Sequence, residues 1–341
     1  MVARGAIALT VTTGRYPLKA PFNITGHRMT DTDVVLVTLQ SDRHLGRGEA
    51  TGVFYLENND PPCLVRQIES VRPRVEAGID RQDLQGLLPP GGARNALDCA
   101  LWDLEAKLTD TPVWRLAGLK SPRPLLTTFT VSADTPEKMA ASARAYTGAK
   151  ALKLKLTGQP IDADRVRAVR AVSPDTWLGV DANQGFTRAS LEELLPVLVE
   201  HRVQLIEQPF RIGWDREIDG LHAPIPIAAD ESVQRLTDIA QLVGRYDVIN
   251  IKLDKCGGLT EGLAMAREAR RLGLAVMVGN MLGSSLAMAP AFVLGQLCDV
   301  VDLDGPAFLS SDCTPPVRYE QGMVCAPAAL WGYPTSERMQ A

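Results

Sequence analysis

The chain contains 341 residues, of which 45% are hydrophobic and 22% are charged, and its formal net charge is -4. A chain of this length is more than one simple core requires and leaves room for two domains. The slight negative charge gives no electrostatic reason to expect a nucleic acid or a membrane surface as a partner. No apolar run is long enough to cross a bilayer, so we expect no membrane-spanning segment.

Residues 1–120 mix the patterns of strands and helices. Residues 6–11 are interpreted as a first strand, because no cleavage pattern of a signal peptide follows this apolar run. Residues 33–40 are rich in β-branched side chains and predict a further strand. After a Pro-Pro-Gly-Gly break at residues 89–92, leucines at helical spacing predict a helix over residues 93–117. We therefore predict an α+β domain.

The cysteines and histidines exclude some kinds of site. The six cysteines are scattered without a Cys-x-x-Cys pair, which is typical of reduced thiols in a cytoplasmic protein rather than of a disulfide or zinc framework. The four histidines lie outside the polar groups described below. An imidazole base is therefore not expected.

From residue 125 onward, short apolar runs alternate with segments that have room for one helix each. The eight runs begin at Leu125, Ala151, Leu178, Leu205, Ile225, Val248, Ala275 and Val300. Eight parallel strands with intervening helices are what a closed (β/α)₈ barrel requires. An open doubly wound sheet would carry a glycine-rich first turn, which this chain lacks. The pattern predicts an α/β fold with a TIM barrel over residues 121–310.

Three acids end consecutive predicted strands. Asp181 ends the third strand, Glu207 the fourth and Asp230 the fifth. The carboxyl ends of barrel strands build the active site, so these carboxylates are expected to converge. Hard oxygen ligands at this density suit Mg²⁺. The alternative is that each acid caps the following helix or pairs with an arginine.

Lysines flank these acids. Side chains alternate along a strand, so Lys153 and Lys155 point to the same side of the second strand. Lys252 ends the sixth strand on the face that carries Asn250. The second and sixth strands lie on opposite sides of a barrel, so Lys155 and Lys252 are expected to face each other across its mouth. The alternative role is that these lysines form salt bridges with the acids.

The two sets together predict proton transfer at a carbon next to a carboxylate. Removal of that proton gives an enediolate, and a divalent ion stabilises the charge as it develops. A lysine can act as the base near neutral pH only if nearby cations lower its pKa. Two lysines on opposite sides of one carbon allow one to remove a proton and the other to return one, which predicts racemisation or epimerisation.

Five short motifs occur in order along the second to sixth predicted strands. They are Lys-x-Lys at 153–155, Asp-x-Asn at 181–183, Glu-Gln-Pro at 207–209, Asp-Glu-Ser at 230–232 and Asn-Ile-Lys at 250–252. In this order they resemble the muconate-lactonising subgroup of the enolase superfamily, in which lysine bases act with magnesium. The resemblance implies a capping domain built from residues 1–120 and a C-terminal tail, residues 311–341.

The resemblance also implies a role for each matched residue. The implied Mg²⁺ ligands are Asp181, Glu207 and Asp230. Lys155 and Lys252 would be the acid/base pair, and Lys153 would neutralise the substrate carboxylate. Asn183 and Glu231 would support the metal ligands from behind. Lys255 competes with Lys252 for the acid/base role, but it lies beyond the strand end.

A further motif narrows the resemblance. Asp302 and Asp304 end the eighth predicted strand on one face, and this Asp-x-Asp resembles that of the dipeptide epimerases, where it holds the free α-ammonium group of the substrate. Two carboxylates beside a carboxylate site do require a cation between them. Thr128 and Thr130 on the first strand resemble the same group and could bind the peptide. The alternative for the two acids is a loop-capping pair.

The resemblance therefore implies a magnesium-dependent epimerase that inverts the α-carbon of the C-terminal residue of an L,L-dipeptide, such as L-Ala-L-Glu. A mobile loop of the capping domain, residues 21–31, is expected to line the side-chain pocket. Its Arg28 could meet an acidic side chain or could simply be solvated. The sequence leaves the oligomeric state open, and a homo-oligomer is compatible with it.

Other activities stay open. An N-acylamino acid racemase, an o-succinylbenzoate synthase or a cycloisomerase belongs to the same subgroup, and their substrates lack a free ammonium group. Acid-sugar dehydration is disfavoured because the seventh strand ends at Gly279 and Asn280 without a histidine. A barrel that only binds a small cationic peptide is the alternative outside enzymes, and the intact lysine pair argues against it.

Overall fold

The computed structural model describes residues 6–24 and 26–334. The N-terminal part begins with an antiparallel sheet of three strands, β1 (Ala8–Ile24), β2 (His27–Ser41) and β3 (His44–Ala50), in the order β1-β2-β3. The two strands predicted from the sequence fall on β1 and β2. Both observed strands are longer than predicted, because they pair with each other as far as Ile24 and His27.

Four helices follow this sheet. They are α1 (Pro61–Glu76), α2 (Arg81–Leu87), α3 (Gly92–Leu108) and α4 (Val113–Leu116). Asp60 caps α1 by accepting the N–H of Cys63 at 2.7 Å, and proline occupies the first turn, where no N–H is required. The helix predicted over residues 93–117 is in fact two helices, because Asp110 has a left-handed backbone (φ 48°) and Pro112 follows it.

Helix α3 connects the N-terminal sheet to the rest of the molecule. Its leucines Leu97, Leu101 and Leu104 pack into the core beneath the sheet, and Trp102 on another side belongs to the core of the barrel. The helix approaches β3 closely because Gly48 has no side chain, and a methyl group there would overlap the carbonyl of Ala96. Burial on nearly all sides fixes how the N-terminal domain sits on the barrel.

The first predicted barrel strand is divided in the structure. β4 (Leu125–Leu126) leaves the barrel, and β5 (Phe129–Val131) is the barrel strand. The prediction of a single strand from residue 125 was therefore wrong in its first two residues. The division has a local consequence, because Thr127 and Thr128 lie between the two strands and turn towards the eighth strand.

Eight parallel strands form the barrel sheet, in sequential order around it. After β5 they are β6 (Ala151–Lys155), β7 (Trp177–Asp181), β8 (Leu205–Glu207), β9 (Ile227–Ala229), β10 (Val248–Ile251), β11 (Ala275–Val278) and β12 (Val300–Val301). The N–H of Thr128 donates to the carbonyl of Val301 at 3.0 Å and joins the two ends of the sheet. The predicted (β/α)₈ class with an N-terminal capping domain is confirmed.

Helices surround this sheet. They are α5 (Pro136–Ala145), α6 (Asp162–Val172), α7 (Arg188–Glu200), α8 (Leu253–Cys256), α9 (Leu259–Arg271) and α10 (Ser285–Gly295). Three connections instead hold a 3₁₀ helix: Asp215–Ile218, Leu236–Leu242 and Gly305–Phe308. Between β8 and β9 and between β9 and β10, the expected intervening helix is a 3₁₀ helix rather than an α-helix. No helix in the described part of the chain is long and apolar enough to cross a membrane.

The C-terminal segment contacts both parts of the molecule. Strands β13 (Arg318–Glu320) and β14 (Met323–Cys325) form a hairpin, and β14 pairs with β4 below the barrel. Further along, the indole N–H of Trp331 donates to the carbonyl of Arg47 in β3 at 2.9 Å. These contacts support the proposed return of the tail to the capping domain. Residues 335–341 of that tail lie outside the described part of the chain, and the division at residues 120 and 310 stays a prediction.

Candidate active site

The three predicted metal ligands come together at the carboxyl end of the barrel. Asp181 and Glu207 are paired as the last residues of β7 and β8, and Asp230 follows β9 directly. All three are buried, and one oxygen atom from each lies within 4.8 Å of the others. None of them caps a helix, because the helices that follow begin after Thr187, Trp214 and Arg235.

Gln208, the residue after Glu207, fixes the position of Asp230. This role of Gln208 was not predicted from the sequence. The side-chain oxygen of Gln208 accepts the N–H groups of Asp230 and Ser232 at 2.9 and 3.1 Å. Its amide nitrogen donates to the carbonyl of Phe210 at 2.8 Å. Gln208 also has a positive φ of 35°, which is uncommon for a residue with a side chain. This buried amide therefore ties the ends of β8 and β9 together.

The charges at this point favour a cation. Burial and the charge of Asp181 raise the pKa of Glu207 to about 7. Burial opposes ionisation of Asp230 as well, but Lys252 and Lys255 hold the pKa of that carboxyl well below its usual range. Asn183 Oδ1 and Glu231 Oε2 are buried next to the triad without a hydrogen-bond donor in the described structure. Converging carboxylates with spare oxygen acceptors behind them fit a hydrated Mg²⁺ ion.

Lys153 and Lys155 both reach this centre from β6. Lys155 Nζ lies 2.6 Å from Asp181, while Lys153 Nζ lies 3.2 Å from Glu207 and also contacts Asp302. Burial alone would lower the pKa of Lys153, but these surrounding carboxylates raise it well above its ordinary value. Both lysines therefore form the salt bridges that were the alternative interpretation. They also lie in the wall of the cavity.

Lys252 lies at the end of β10 and enters the same cavity. Its Nζ lies 2.6 Å from Asp230. Burial favours the neutral amine, yet Asp230 and Glu207 outweigh it and raise the pKa of Lys252 above its ordinary value. A lysine base requires a lowered pKa, and the side chains around Lys252 do not provide it. Further positive charge among the acids would be needed to lower this pKa.

Lys255 takes a different position from the one expected of a rival base. It lies in α8, is almost fully buried and is not among the residues that line the cavity. Its Nζ contacts both the carboxylate and the backbone carbonyl of Asp230, and it donates to the carbonyl of Asn250 at 3.2 Å. Lys255 therefore supports Asp230 from behind.

Asp302 and Asp304 lie together after β12, opposite the threonines of the first strand. Asp302 accepts from the Thr128 hydroxyl and contacts Lys153. Asp304 accepts the N–H of Thr130 at 2.6 Å. Burial and the charge of Asp302 raise the pKa of Asp304 to about 7. The predicted threonines thus hold these two acids in the cavity wall, and Asp304 makes no side-chain cap to the short helix that follows it.

The opposite wall of the cavity is apolar and is contributed mainly by the capping domain. Residues 21–31 were predicted to be a mobile loop, whereas residues 21–24 and 27–31 belong to the ends of strands β1 and β2. Apolar side chains from this hairpin, from the segment after β3 and from the loops after β11 and β12 line the cavity: Phe22, Ile24, Met29, Phe54, Met281, Leu282 and Phe308.

Arg28 is a predicted site residue that the structure does not bring to this cavity, and Thr128, which is hydrogen-bonded to Asp302, does not line it either. Arg28 pairs with Asn23, whereas Phe22 pairs with Met29 one position away. Side chains alternate between the faces of a strand pair, so Arg28 lies on the face away from the cavity. It is exposed and borders a neighbouring hollow together with Lys19.

Comparison with known families agrees with this geometry. Residues 137–332 match the family described as enolase C-terminal domain-like, and residues 6–118 match the mandelate racemase / muconate lactonizing enzyme N-terminal domain. The chain belongs to the enolase superfamily. The two matched regions cover the cavity from both sides, including the three acids, the lysines and the apolar hairpin.

Two curated relatives stand out. The L-Ala-D/L-Glu epimerase of Escherichia coli is 40% identical over 309 residues, which are 90% of this chain and 96% of that protein. The N-acetyl-D-glutamate racemase of a Pseudoalteromonas species is 40% identical over 255 residues, which are 74% of this chain and 80% of that protein. Both are enzymes that change the configuration of a substrate, and their named substrates differ.

Solved structures show the same fold. An enolase family member from Agrobacterium tumefaciens with homology to dipeptide epimerases, with bound sodium and L-Ala-L-Glu, is 42% identical, has a TM-score of 0.92 and covers 96% of this chain and 100% of its own. The dipeptide epimerase of Methylococcus capsulatus, complexed with Mg and L-Arg-D-Lys, is 29% identical, with a TM-score of 0.88, and covers 95% and 98%.

Proposed function

We propose that this chain is a magnesium-dependent dipeptide epimerase that inverts the α-carbon of the C-terminal residue of an L,L-dipeptide. The observation that carries the proposal is the union of three groups in one cavity: a triad of acids, two lysines beside it, and a second pair of acids. The chain is an isomerase of the epimerase and racemase class, as its relatives are. L-Ala-L-Glu, which is bound in the Agrobacterium tumefaciens structure, is the first substrate to test.

The second pair of acids supports a dipeptide as the substrate. Asp302 and Asp304 are buried neighbours of Lys153, and a buried carboxylate pair requires a cation or a shared proton. The ammonium group at the start of a dipeptide supplies that cation with charge-assisted hydrogen bonds. Lys153 lies between this pair and the acids of the triad, where it would meet the carboxylate at the other end of the substrate.

Asp181, Glu207 and Asp230 would hold the metal ion. When bound, Mg²⁺ would supply positive charge that stabilises the developing enediolate. The fit rests on the chemistry of the donors, which are oxygen atoms only, and on the unpartnered acceptors of Asn183 and Glu231 behind them.

Lys155 and Lys252 would move the proton at the α-carbon. Each is held 2.6 Å from an acid of the triad, Asp181 for one and Asp230 for the other. Lys155 ends β6 and Lys252 follows β10, so the two amines approach the cavity from separate directions. One lysine would remove the α-proton and the other would deliver a proton to the opposite side, which inverts the centre.

An N-acylamino acid racemase is the second candidate, because the Pseudoalteromonas relative is named for N-acetyl-D-glutamate. An acylated amino acid carries no ammonium group, so it would leave the charges of Asp302 and Asp304 without a new partner. Dipeptides are therefore the first candidate substrates, because of the chemistry of Asp302 and Asp304.

The test is α-proton exchange in D₂O with Mg²⁺, followed by NMR for a panel that includes L-Ala-L-Glu, apolar L-Ala dipeptides and N-acetyl-L-glutamate. We expect deuterium at the α-carbon of the C-terminal residue, together with the L,D-product. Neither should form after the metal is removed with EDTA. If every dipeptide fails and N-acetyl-L-glutamate exchanges, the second candidate is correct. If no compound exchanges, the chain is not an epimerase of this type.

A further inference from the structure

Tyr55 places a hydrogen-bond donor without a protein partner in the cavity wall. The hydroxyl group is buried, and no acceptor for it lies within hydrogen-bond distance in the described structure. Tyr55 lines the same cavity as Lys155 and Lys252. Because a buried phenol normally finds an acceptor, the acceptor for Tyr55 is expected to come with a ligand.

The electrostatic surroundings show which part of the cavity the phenol faces. Burial raises the pKa of Tyr55 well above its ordinary value, and the charges that act on it most strongly are those of Asp230 and Glu231, then Asp181 and Glu207. The phenol thus keeps its proton, and the charges that act on it most strongly belong to the triad end of the cavity. It is the triad end of the cavity, rather than the end at Asp302, where the reacting carboxylate is expected.

The segment that carries Tyr55 is held by its own contacts. The N–H of Val53 donates to the backbone and side-chain oxygens of Asn59, at 3.2 and 3.1 Å. The N–H of Leu56 donates to the carbonyl of Val53 at 2.9 Å, and Phe54 packs edge-on against the ring of Tyr55 with centroids 5.1 Å apart. The capping domain therefore holds the phenol in place in advance, which lowers the entropy lost on binding.

We propose that Tyr55 donates a hydrogen bond to the reacting carboxylate of the substrate. This inference rests on the proposed function, since it takes a peptide carboxylate as the acceptor. The lysines and acids of the site all belong to the barrel, so Tyr55 would be the one polar contact from the capping domain to the reacting group in the described structure. Proton transfer would then depend on correct docking of that domain.

The substitution Tyr55→Phe removes the hydroxyl and keeps the ring. A hydrogen bond to a charged group predicts a fall of about 10- to 100-fold in kcat/KM for the dipeptide. The second measurement is the dissociation constant of L-alanyl-2-aminoisobutyrate, a dipeptide without an α-proton that the enzyme can bind but not epimerise. We expect at least a fivefold weaker affinity in the variant. If either quantity stays within twofold of the wild type, the proposal is wrong.

Tyr246→Phe is the matched control for stability. The Tyr246 hydroxyl donates to Asp215 at 2.6 Å, so its loss should lower the unfolding temperature, whereas Tyr55→Phe should not lower it. A drop for Tyr55→Phe as large as that for Tyr246→Phe would mean that its hydroxyl has an internal partner, which overturns the proposal. If the wild type exchanges no α-proton with any dipeptide, the proposed function fails. If the wild type is active and Tyr55→Phe is equally active, only the role of Tyr55 is disproved.

Discussion

Replacement of Lys255 by methionine tests whether this lysine supports Asp230 or acts as a base. The change removes an ammonium group that has three buried acceptors: the carboxylate and carbonyl of Asp230 and the carbonyl of Asn250. Its side chain is only 1% exposed. Burial lowers the pKa of Lys255 even beside Asp230, so the desolvation of this pair is large.

The loss of one partner from a buried ion pair costs about 3–5 kcal/mol when the other charge is left unpaired. Asp230 keeps Lys252 at 2.6 Å, so the lower end of this range, about 3 kcal/mol, applies to Lys255. We therefore expect Lys255→Met to lower the free energy of unfolding by about that amount, measured by urea denaturation in the presence of EDTA. Methionine keeps most of the volume, so the loss reports the charge and its hydrogen bonds rather than a cavity.

Lys138→Met provides the control. Lys138 also pairs with an aspartate, Asp134, at 3.2 Å, but its side chain is 69% exposed. Exposed pairs contribute about 0–1 kcal/mol, so this variant should unfold almost like the wild type. If Lys255→Met differs from the wild type by no more than Lys138→Met does, the structural role assigned to Lys255 is incorrect.

Three further predictions concern the site and its surroundings. Lys155→Ala and Lys252→Ala should each lower the rate of epimerisation by about 10³-fold or more. Each variant should still exchange the α-proton of one diastereomer in D₂O, and NMR should show that this diastereomer differs between the two variants. Asp302→Asn should lower kcat/KM for a dipeptide by about 10- to 100-fold, since the ammonium group loses a charged partner, and equal activity in steady-state assays would contradict this. Glu49 is buried against Ser284, and burial raises its pKa to about 7 from 4.5. The folded state therefore binds the extra proton, and the stability of the wild type relative to Glu49→Gln should fall as the pH rises from about 5 to 8, by about 3 kcal/mol in urea titrations; a flat difference would refute it.

The hairpin of the capping domain shows where prediction from the sequence failed. The resemblance to the family led to the prediction of a mobile loop over residues 21–31. In the structure Phe22, Ile24 and Met29 form one face of a strand pair, and that face closes the cavity. Of the two roles left open for Arg28, exposure to solvent is the one that the structure fits, because the register of the pair decides which side chains point inward.

The sequence by itself determined the barrel and the positions of the acids and lysines within it. Apolar runs alternate with helical segments, and strand geometry has a period of two residues, so Lys153 and Lys155 had to share a face and Asp181, Glu207 and Asp230 had to end neighbouring strands. Local periodicity is a property of the chain alone, and it is enough to predict which end of each strand carries the chemistry.

Only the tertiary structure decided how the capping domain meets this centre. The position of Tyr55, the inward face of the hairpin and the place of Lys255 behind Asp230 depend on contacts between residues far apart in the chain. Such contacts are set by how α3 packs between the N-terminal sheet and the barrel. No periodicity along the sequence encodes that packing, because it results from the fit of two surfaces built from distant parts of the chain.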